Sequence, residues 1–372
     1  MIEYVEIRGS DTRVIGIVDI AKSIIWHSVY FGVGDFEIYA PASHDVIRLL
    51  QIGHYVTRPD NAEVGIIESI NIADNEQDGT MIIASGRFAK SILDRRLIYK
   101  LSGTSNAATT LYGNVETEVR QVVYENAINC PFDSKRNIPL LALGDLSNIP
   151  LRIVDGNGNA ARKQVSYGNL LEYTDGVLAE YGLSALCVLQ NGALQYKVYQ
   201  GNDRSVNNTA GNIPIIFSRE YDNLTASEYL YNSATEKNVA LIGGEGEGLN
   251  RFYSLVDKAA AGLQRREMWV DASSIAKTYK DENDVDQTYT DAQYKAMLDA
   301  QGTQDLATQI VTETYNGTID VTNGNWVYGR DFALGDIVTT QDSKIGIYAN
   351  VRIQEATEVQ DENGYTVDIQ YQ

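Results

Sequence analysis

Four Asx-Gly pairs, each set between short stretches of alternating apolar residues, constrain this chain most. Asp78-Gly79 lies between VGIIESINIA and MIIASG, and Asn191-Gly192 between LSALCVL and ALQYKVY. Asn323-Gly324 lies between GTIDV and NWVYG, and Asn363-Gly364 between ATEVQ and YTVDIQ. Such pairs accept the two positive φ values of a type I′ turn, so each is expected to close a β-hairpin. KIGIYANVRI places Ile345, Ile347, Ala349, Val351 and Ile353 on one face with period two, and GDFEIYA does the same with Phe36, Ile38 and Ala40. Both stretches are expected to be half-buried strands.

Helical patterns are fewer. YGNVETEVRQVVYENAIN puts Val115, Val119, Val122 and Val123 on one stripe. YGNLLEYTDGVLAEYG repeats the pattern with Leu170, Leu171, Val177, Leu178 and Tyr181, and ends at Gly182. A third helix is expected to open with Thr290 as N-cap and stop near Gly302. The fold class expected is mainly β with α+β insertions: two tube-type β-barrel or sandwich domains plus two smaller inserted domains. The divisions are 1–104 (first β domain), 105–207 (α+β insert), 208–262 with 308–372 (second β domain) and 263–307 (small helical insert).

The chain has 372 residues and is 44% hydrophobic, enough to bury real cores. It carries 50 acidic and 30 basic residues, a net charge of −20, which argues against stable binding to nucleic-acid phosphates. It contains no run of eighteen apolar residues, so no membrane span is expected. Its start, MIEYVEIRGSDTR, lacks a basic region followed by an apolar stretch, so no secretory signal is expected and synthesis is placed in the cytoplasm. His27, His44 and His54 lack the one-turn spacing of a zinc motif, and they are placed on or between strands. Cys130 and Cys187 match no metal or redox spacing. The Asp155 loop, DGNGNAAR, begins like a calcium loop but has Ala160 at the sixth position and Ser166 at the twelfth. No catalytic residue, metal or cofactor is expected.

NVALIGGEGEGLNR is the one glycine-rich loop that follows an apolar run. A phosphate-binding loop would need Lys and Ser or Thr after its last glycine, but Leu249 and Asn250 follow Gly248. Glu245 and Glu247 would repel a pyrophosphate. Gly243, Gly244, Gly246 and Gly248 are therefore expected to form a tight backbone feature between two strands.

This stretch also carries a resemblance. Ser218, Asn223-Leu224, Asn238-Val239, the glycines from Gly243 to Gly248 and Arg251 are followed by RREMWVDAS, with Arg266, and by YGRDFALGDIVTT, with Asp331, Leu334, Gly335 and Asp336. In order and spacing these blocks resemble a family of siphophage tail-hub proteins of the ReqiPepy type. The resemblance runs over residues 20–372 and is strongest over 217–340. It implies similarity to the baseplate hubs of contractile-tailed phages, which are homotrimers with two tube domains per chain forming a pseudo-hexameric ring. By that resemblance the partners would be two further copies, a distal tail or tube protein, the tape-measure protein and tail-tip or fibre proteins. DNA would only pass through, and the place would be the virion tail. The acidic excess would then face the channel, with Arg95, Arg96, Arg265 and Arg266 at subunit or partner contacts. The alternative is a tail-associated glycan hydrolase with a β-rich fold.

Overall fold

The computed structural model describes residues 1–75, 79–102, 105–155, 158–258, 261–280, 285–319, 326–344 and 346–371. The chain is mainly β. The first strands are β1 (Val5–Arg8), β2 (Val14–Val18), β3 (Ser23–Val29), β4 (Asp35–Pro41), β5 (Tyr55–Arg58), β6 (Asn61–Ile66), β7 (Ser69–Asn75) and β8 (Gly79–Arg87). Three more strands, from residues 141–199, join the sheet of β6: β9 (Leu141–Leu143), β10 (Ser184–Gln190) and β11 (Ala193–Tyr199). The C-terminal part adds β12 (Ile216–Ser218), β13 (Leu224–Asn232), β14 (Val239–Gly243), β15 (Tyr253–Asp257), β16 (Glu267–Asp271), β17 (Thr312–Ile319), β18 (Ile337–Asp342), β19 (Ile347–Asp361) and β20 (Gly364–Tyr371). The helices are α1 (His44–Leu49), α2 (Val115–Val123), α3 (Leu170–Glu180) and α4 (Asp291–Thr308).

One large sheet runs β13-β17-β20-β19-β3-β4-β8-β7, with β18 also on β19 and β12 on β18. Its centre is the antiparallel pairing of β3 with β19, where Ile25 meets Val359 and His27 meets Thr357. A bulge at Gln354 lets β19 serve two partners. Before it, Val351 and Ile353 face the C-terminal core; after it, Ala356 and Glu358 turn inward. In β3 and β4, Trp26, Phe36 and Ile38 alternate into the N-terminal core as the period-two pattern requires, and Phe88 packs 4.8 Å from the Trp26 ring. A second sheet runs β9-β11-β10-β6-β5-β1-β2, so the insert hairpin continues the N-terminal strands. A third, β15-β14-β16, lies against α4. It joins strands on both sides of residue 262.

Local signals fold as their chemistry predicts, with three corrections. Asn191 (φ +54) and Gly192 (φ +75) make the left-handed turn between β10 and β11. At the last hairpin the turn sits one residue earlier than expected: Asp361 pairs with Gly364, so Glu362 and Asn363 form the turn. The Asp361 carboxylate accepts from the Asn363 amide at 2.8 Å, which favours the earlier turn. Helix α4 opens on Thr290 in a capping box with Gln293 but continues past Gly302 to Thr308. Gly302 is there for close packing: a Cβ would stand 2.6 Å from the Ile242 side chain of β14. His44 opens α1 instead of lying on or between strands. The turns expected at Asp78 and at Asn323-Gly324, Ile345, and parts of the Asp155 loop and of the acidic 281–284 stretch lie outside the described residues.

A polar seam stitches the two large sheets together. Arg58 of β5 reaches Glu358 of β19 with two hydrogen bonds, 2.8 and 3.0 Å, and the two side chains are 1% and 5% exposed. Arg58 also holds Asp60 at 2.8 Å and lies over the Trp26 ring, and the Tyr365 hydroxyl donates to Glu358 at 2.5 Å. Beside it, the Ser28 hydroxyl of β3 donates to Glu63 of β6. Burial lifts the Glu63 carboxyl to about 7 from its ordinary 4.5, against the opposing pull of Ser28 and Lys90.

Two outcomes follow for stability. Arg58→Met leaves Glu358 buried and unpaired and should cost about 3–5 kcal/mol in urea unfolding, most of it recovered when Glu358→Leu is added. The protonated form of Glu63 favours folding, so its contribution is complete below about pH 4.5 and is lost as the pH rises through about 7. The urea midpoint of Glu63→Gln should lack that fall, seen as a difference from wild type between pH 5 and pH 8.

Candidate functional site

The glycine loop is a strand connection held from within. It joins β14 to β15, with Gly246 at φ +101 and Gly248 at φ +54. Arg251 donates to the carbonyls of Gly243 and Gly244 at 3.1 Å each and to Asp271 at 2.5 Å, with its guanidinium over the Trp269 ring. The Gly244 amide donates to the Phe252 carbonyl at 2.8 Å. The Glu245 amide donates to the Tyr294 hydroxyl at 2.7 Å, and that hydroxyl donates to Ile275 at 2.7 Å. The Gly244 and Glu245 amides are thus taken by the chain itself, and the Arg251 guanidinium is engaged by two loop carbonyls and Asp271. Cβ atoms on Gly243 and Gly244 would collide with Trp269 and Tyr294. Tyr294 belongs to this site, yet only its place in α4, far from the motif, hints at it in the sequence.

The other motif residues sit at three separate junctions. Asn223 receives the Ser218 amide at 2.8 Å and donates to Ile216, and the Ser218 hydroxyl caps the following turn through the Glu220 amide. Asn238 receives the Arg266 amide and donates to the Gln264 carbonyl, aligning the starts of β14 and β16; Arg266 pairs with Glu236 at 2.9 Å. Asp336 is 1% exposed and receives the Asn202 amide at 2.7 Å, the Ala333 amide at 3.0 Å and Arg204 at 2.9 Å. Gly335, at φ +87, lets the backbone lie on the Tyr30 ring, where a Cβ would come within 2.1 Å. Tyr30 itself donates to Gly182 at 3.0 Å and receives the Gly201 amide at 3.2 Å, tying insert to sheet. Asp331 receives the Val327 amide at 2.8 Å, and Leu334 packs on the C-terminal core. Each of these residues fixes backbone; the structure does not bring them together around one cleft.

The surface that could carry function is the outer face of the large sheet, away from its cores. The register lines up Glu228, Gln370, Glu355 and Val29 in one row across it. The next row is Asp368, Thr357, His27, Asp35 and Arg87. Glu37 stands on the same face beside Ile25 and Ser85. Among the charged groups of this face, Glu37, Glu228, Glu355, Asp35 and Asp368 outnumber Arg87, which is already held by Glu68 at 2.9 Å. His27 bridges Asp35 and Glu355 at 3.3 and 3.1 Å. Arg95, Arg96, Arg265 and Arg266 lie on other elements, where Arg95 meets Glu68, Arg96 meets the Arg136 carbonyl and Arg265 meets Asp257 and Glu267. Among the described residues no group of three or more His, Cys, Asp or Glu could hold a metal, and no helix is long and apolar enough to cross a membrane.

Comparison with known proteins decides the lineage. The family described as Siphovirus ReqiPepy6 Gp37-like protein matches residues 4–371. The chain belongs to that family. No curated protein matches it in sequence. The fold of this Gp37-like chain is shared with the tail protein from Neisseria meningitidis MC58, at 14% identity and a TM-score of 0.57, over 99% of this chain and 95% of that one. It is shared equally with the 43 kDa tail protein of prophage MuSo2 from Shewanella oneidensis, at 13% identity and a TM-score of 0.57, over 100% of this chain and 98% of that one.

Gly246→Val should destabilise the Gp37-like chain by more than about 1 kcal/mol, because φ is positive and the Cβ would lie 2.4 Å from the Asn250 carbonyl. Gly248→Ala, with open space around it, should cost less; urea titration ranks the two. Calorimetric titration with ATP and with NAD should give no saturable heat.

Proposed function

We propose that this chain is a structural hub of a phage or prophage tail, a homotrimer that closes into a pseudo-hexameric ring continuing the tail tube. The observation that carries this reading is the eight-strand path of the large sheet. Four of its strands, β3, β4, β7 and β8, come from the first β region, and four, β13, β17, β19 and β20, from the last. The path ends at β7 on one side and β13 on the other, two unlike edges in one chain. Identical chains joined through unlike edges form a ring when the rotation between them closes, and closure removes the hazard of exposed strand edges. In this reading the four-part division at 104, 207, 262 and 307 describes two tube domains and their inserts.

The acidic outer face then becomes the channel wall. Glu37, Glu228, Glu355 and Asp368 would repel DNA phosphates at close range, so that DNA slides through during ejection without sticking. The glycine loop and the motif residues act as structural joints, and the reading assigns the chain no reaction and no cofactor. The partners are a distal tail or tube protein on one side, the tape-measure protein within, and tail-tip or fibre proteins beyond. The place of action is the virion tail, after synthesis in the host cytoplasm.

Light scattering of the purified chain, alone and with its tail partners, should give the mass of three copies. A monomer under both conditions at high concentration contradicts the hub. Gel-shift assays with duplex DNA should show no complex for the wild type, and a salt-sensitive complex for the combined Glu37→Lys, Glu355→Lys and Asp368→Lys variant.

A further inference from the structure

The tip of the glycine loop ends in a leucine with nothing to cover it. Leu249 is fully exposed, on a single helical turn at Gly248–Asn250, and Glu245 and Glu247 are exposed beside it. The Arg251 clasp and the Tyr294 bond hold the base of this tip rigid, so little conformational freedom remains to be lost on docking. A stiff apolar knob flanked by two carboxylates needs an apolar hollow with basic groups at its rim.

The same chain has one on another element. A groove of about 610 Å³ runs beside the second sheet, lined by Ile52, Pro139, Leu140 and Leu194 together with Arg95 and Arg96. Ile52 is 60% exposed there. Glu68 also lines the groove, but it already faces two arginines, Arg87 and Arg95, so the rim keeps a positive excess. In a chain of net charge −20, an apolar groove edged by arginine is an unusual surface, and it suits an acidic tip.

One other leucine is as bare: Leu263, at the opposite end of the three-stranded sheet. Its neighbours Arg265 and Arg266 already hold Asp257, Glu267 and Glu236, so that tip brings no spare carboxylate to Arg95 and Arg96. Charge therefore selects Leu249.

We propose that Leu249, flanked by Glu245 and Glu247, inserts into the Ile52–Leu140–Leu194 groove of a second copy of this chain, its carboxylates meeting that copy's Arg95 and Arg96. Knob and groove are different surfaces, so the contact is head to tail, the kind that closes a ring by rotation. The inference rests on the trimeric reading and names a lock within it. It gives the glycine loop a purpose: four glycines place one apolar side chain at the end of a rigid arm.

The test uses the full chain. Leu249→Ser and Arg95→Glu should each weaken self-association at least roughly 10-fold in sedimentation equilibrium, as loss of an interface anchor does. Glu247→Arg combined with Arg95→Glu should restore it toward wild type, because the charges are exchanged. As a positive readout, Leu249→Cys chains mixed with Ile52→Cys chains should form a disulfide between copies, and Leu263→Cys chains should not. A trimer indifferent to Leu249→Ser, with no such disulfide, overturns the contact and leaves the ring standing. A wild type that stays monomeric, alone and with its tail partners, overturns both.

Discussion

The pairing of β3 with β19 is the constraint on which the rest of the structure depends. It lays residues near the two ends of the chain side by side and makes one sheet from two β regions. Between them the chain adds further strands to this sheet and twice leaves it, for the second sheet with the insert and for the three-stranded sheet with α4. The pairing is secured from beneath by Arg58 and Glu358, both removed from water. Such a pair adds little net stability, since two charges are desolvated to make it. Its effect is on register: a shift of β19 by one residue would carry Glu358 to the opposite face and leave Arg58 buried alone.

The glycine loop shows the same economy on a smaller scale. Its glycines meet three different demands: close approach to Trp269 and Tyr294 at Gly243 and Gly244, positive φ against a carbonyl at Gly246, and positive φ in open space at Gly248. At its base the Gly244 and Glu245 amides and the Gly243 and Gly244 carbonyls are satisfied by Phe252, Tyr294 and Arg251, all from the chain itself. A loop so completely bonded at its base offers an incoming phosphate little, and what it presents outward is a leucine.

Local chemistry was legible in the sequence wherever a few neighbouring residues decide the outcome. Thr290 with Gln293, Asn191 with Gly192, and the alternation of Phe36, Ile38 and Ala40 all act within one turn or one strand. The reading slipped where a neighbour or a distant element intervened. Asp361 favours a last turn one residue earlier, and Ile242 needed a glycine at 302 that resembles a helix stop. The β3–β19 partnership was not legible at all: alternation reveals which face of a strand is buried, not which strand lies beside it. The motif residues could be picked out only through resemblance. Their roles as backbone joints, Asp336 beneath Asn202 and Asn238 between Gln264 and Arg266, depend on contacts between separate elements.

The central claim is that the large sheet continues from one copy to the next and encloses a channel. Electron micrographs of the purified protein, averaged end-on, test it most directly. The account predicts rings with three-fold symmetry, six similar lobes and an open centre wide enough for duplex DNA. Compact particles without a central opening, or a ring with another symmetry, would contradict it.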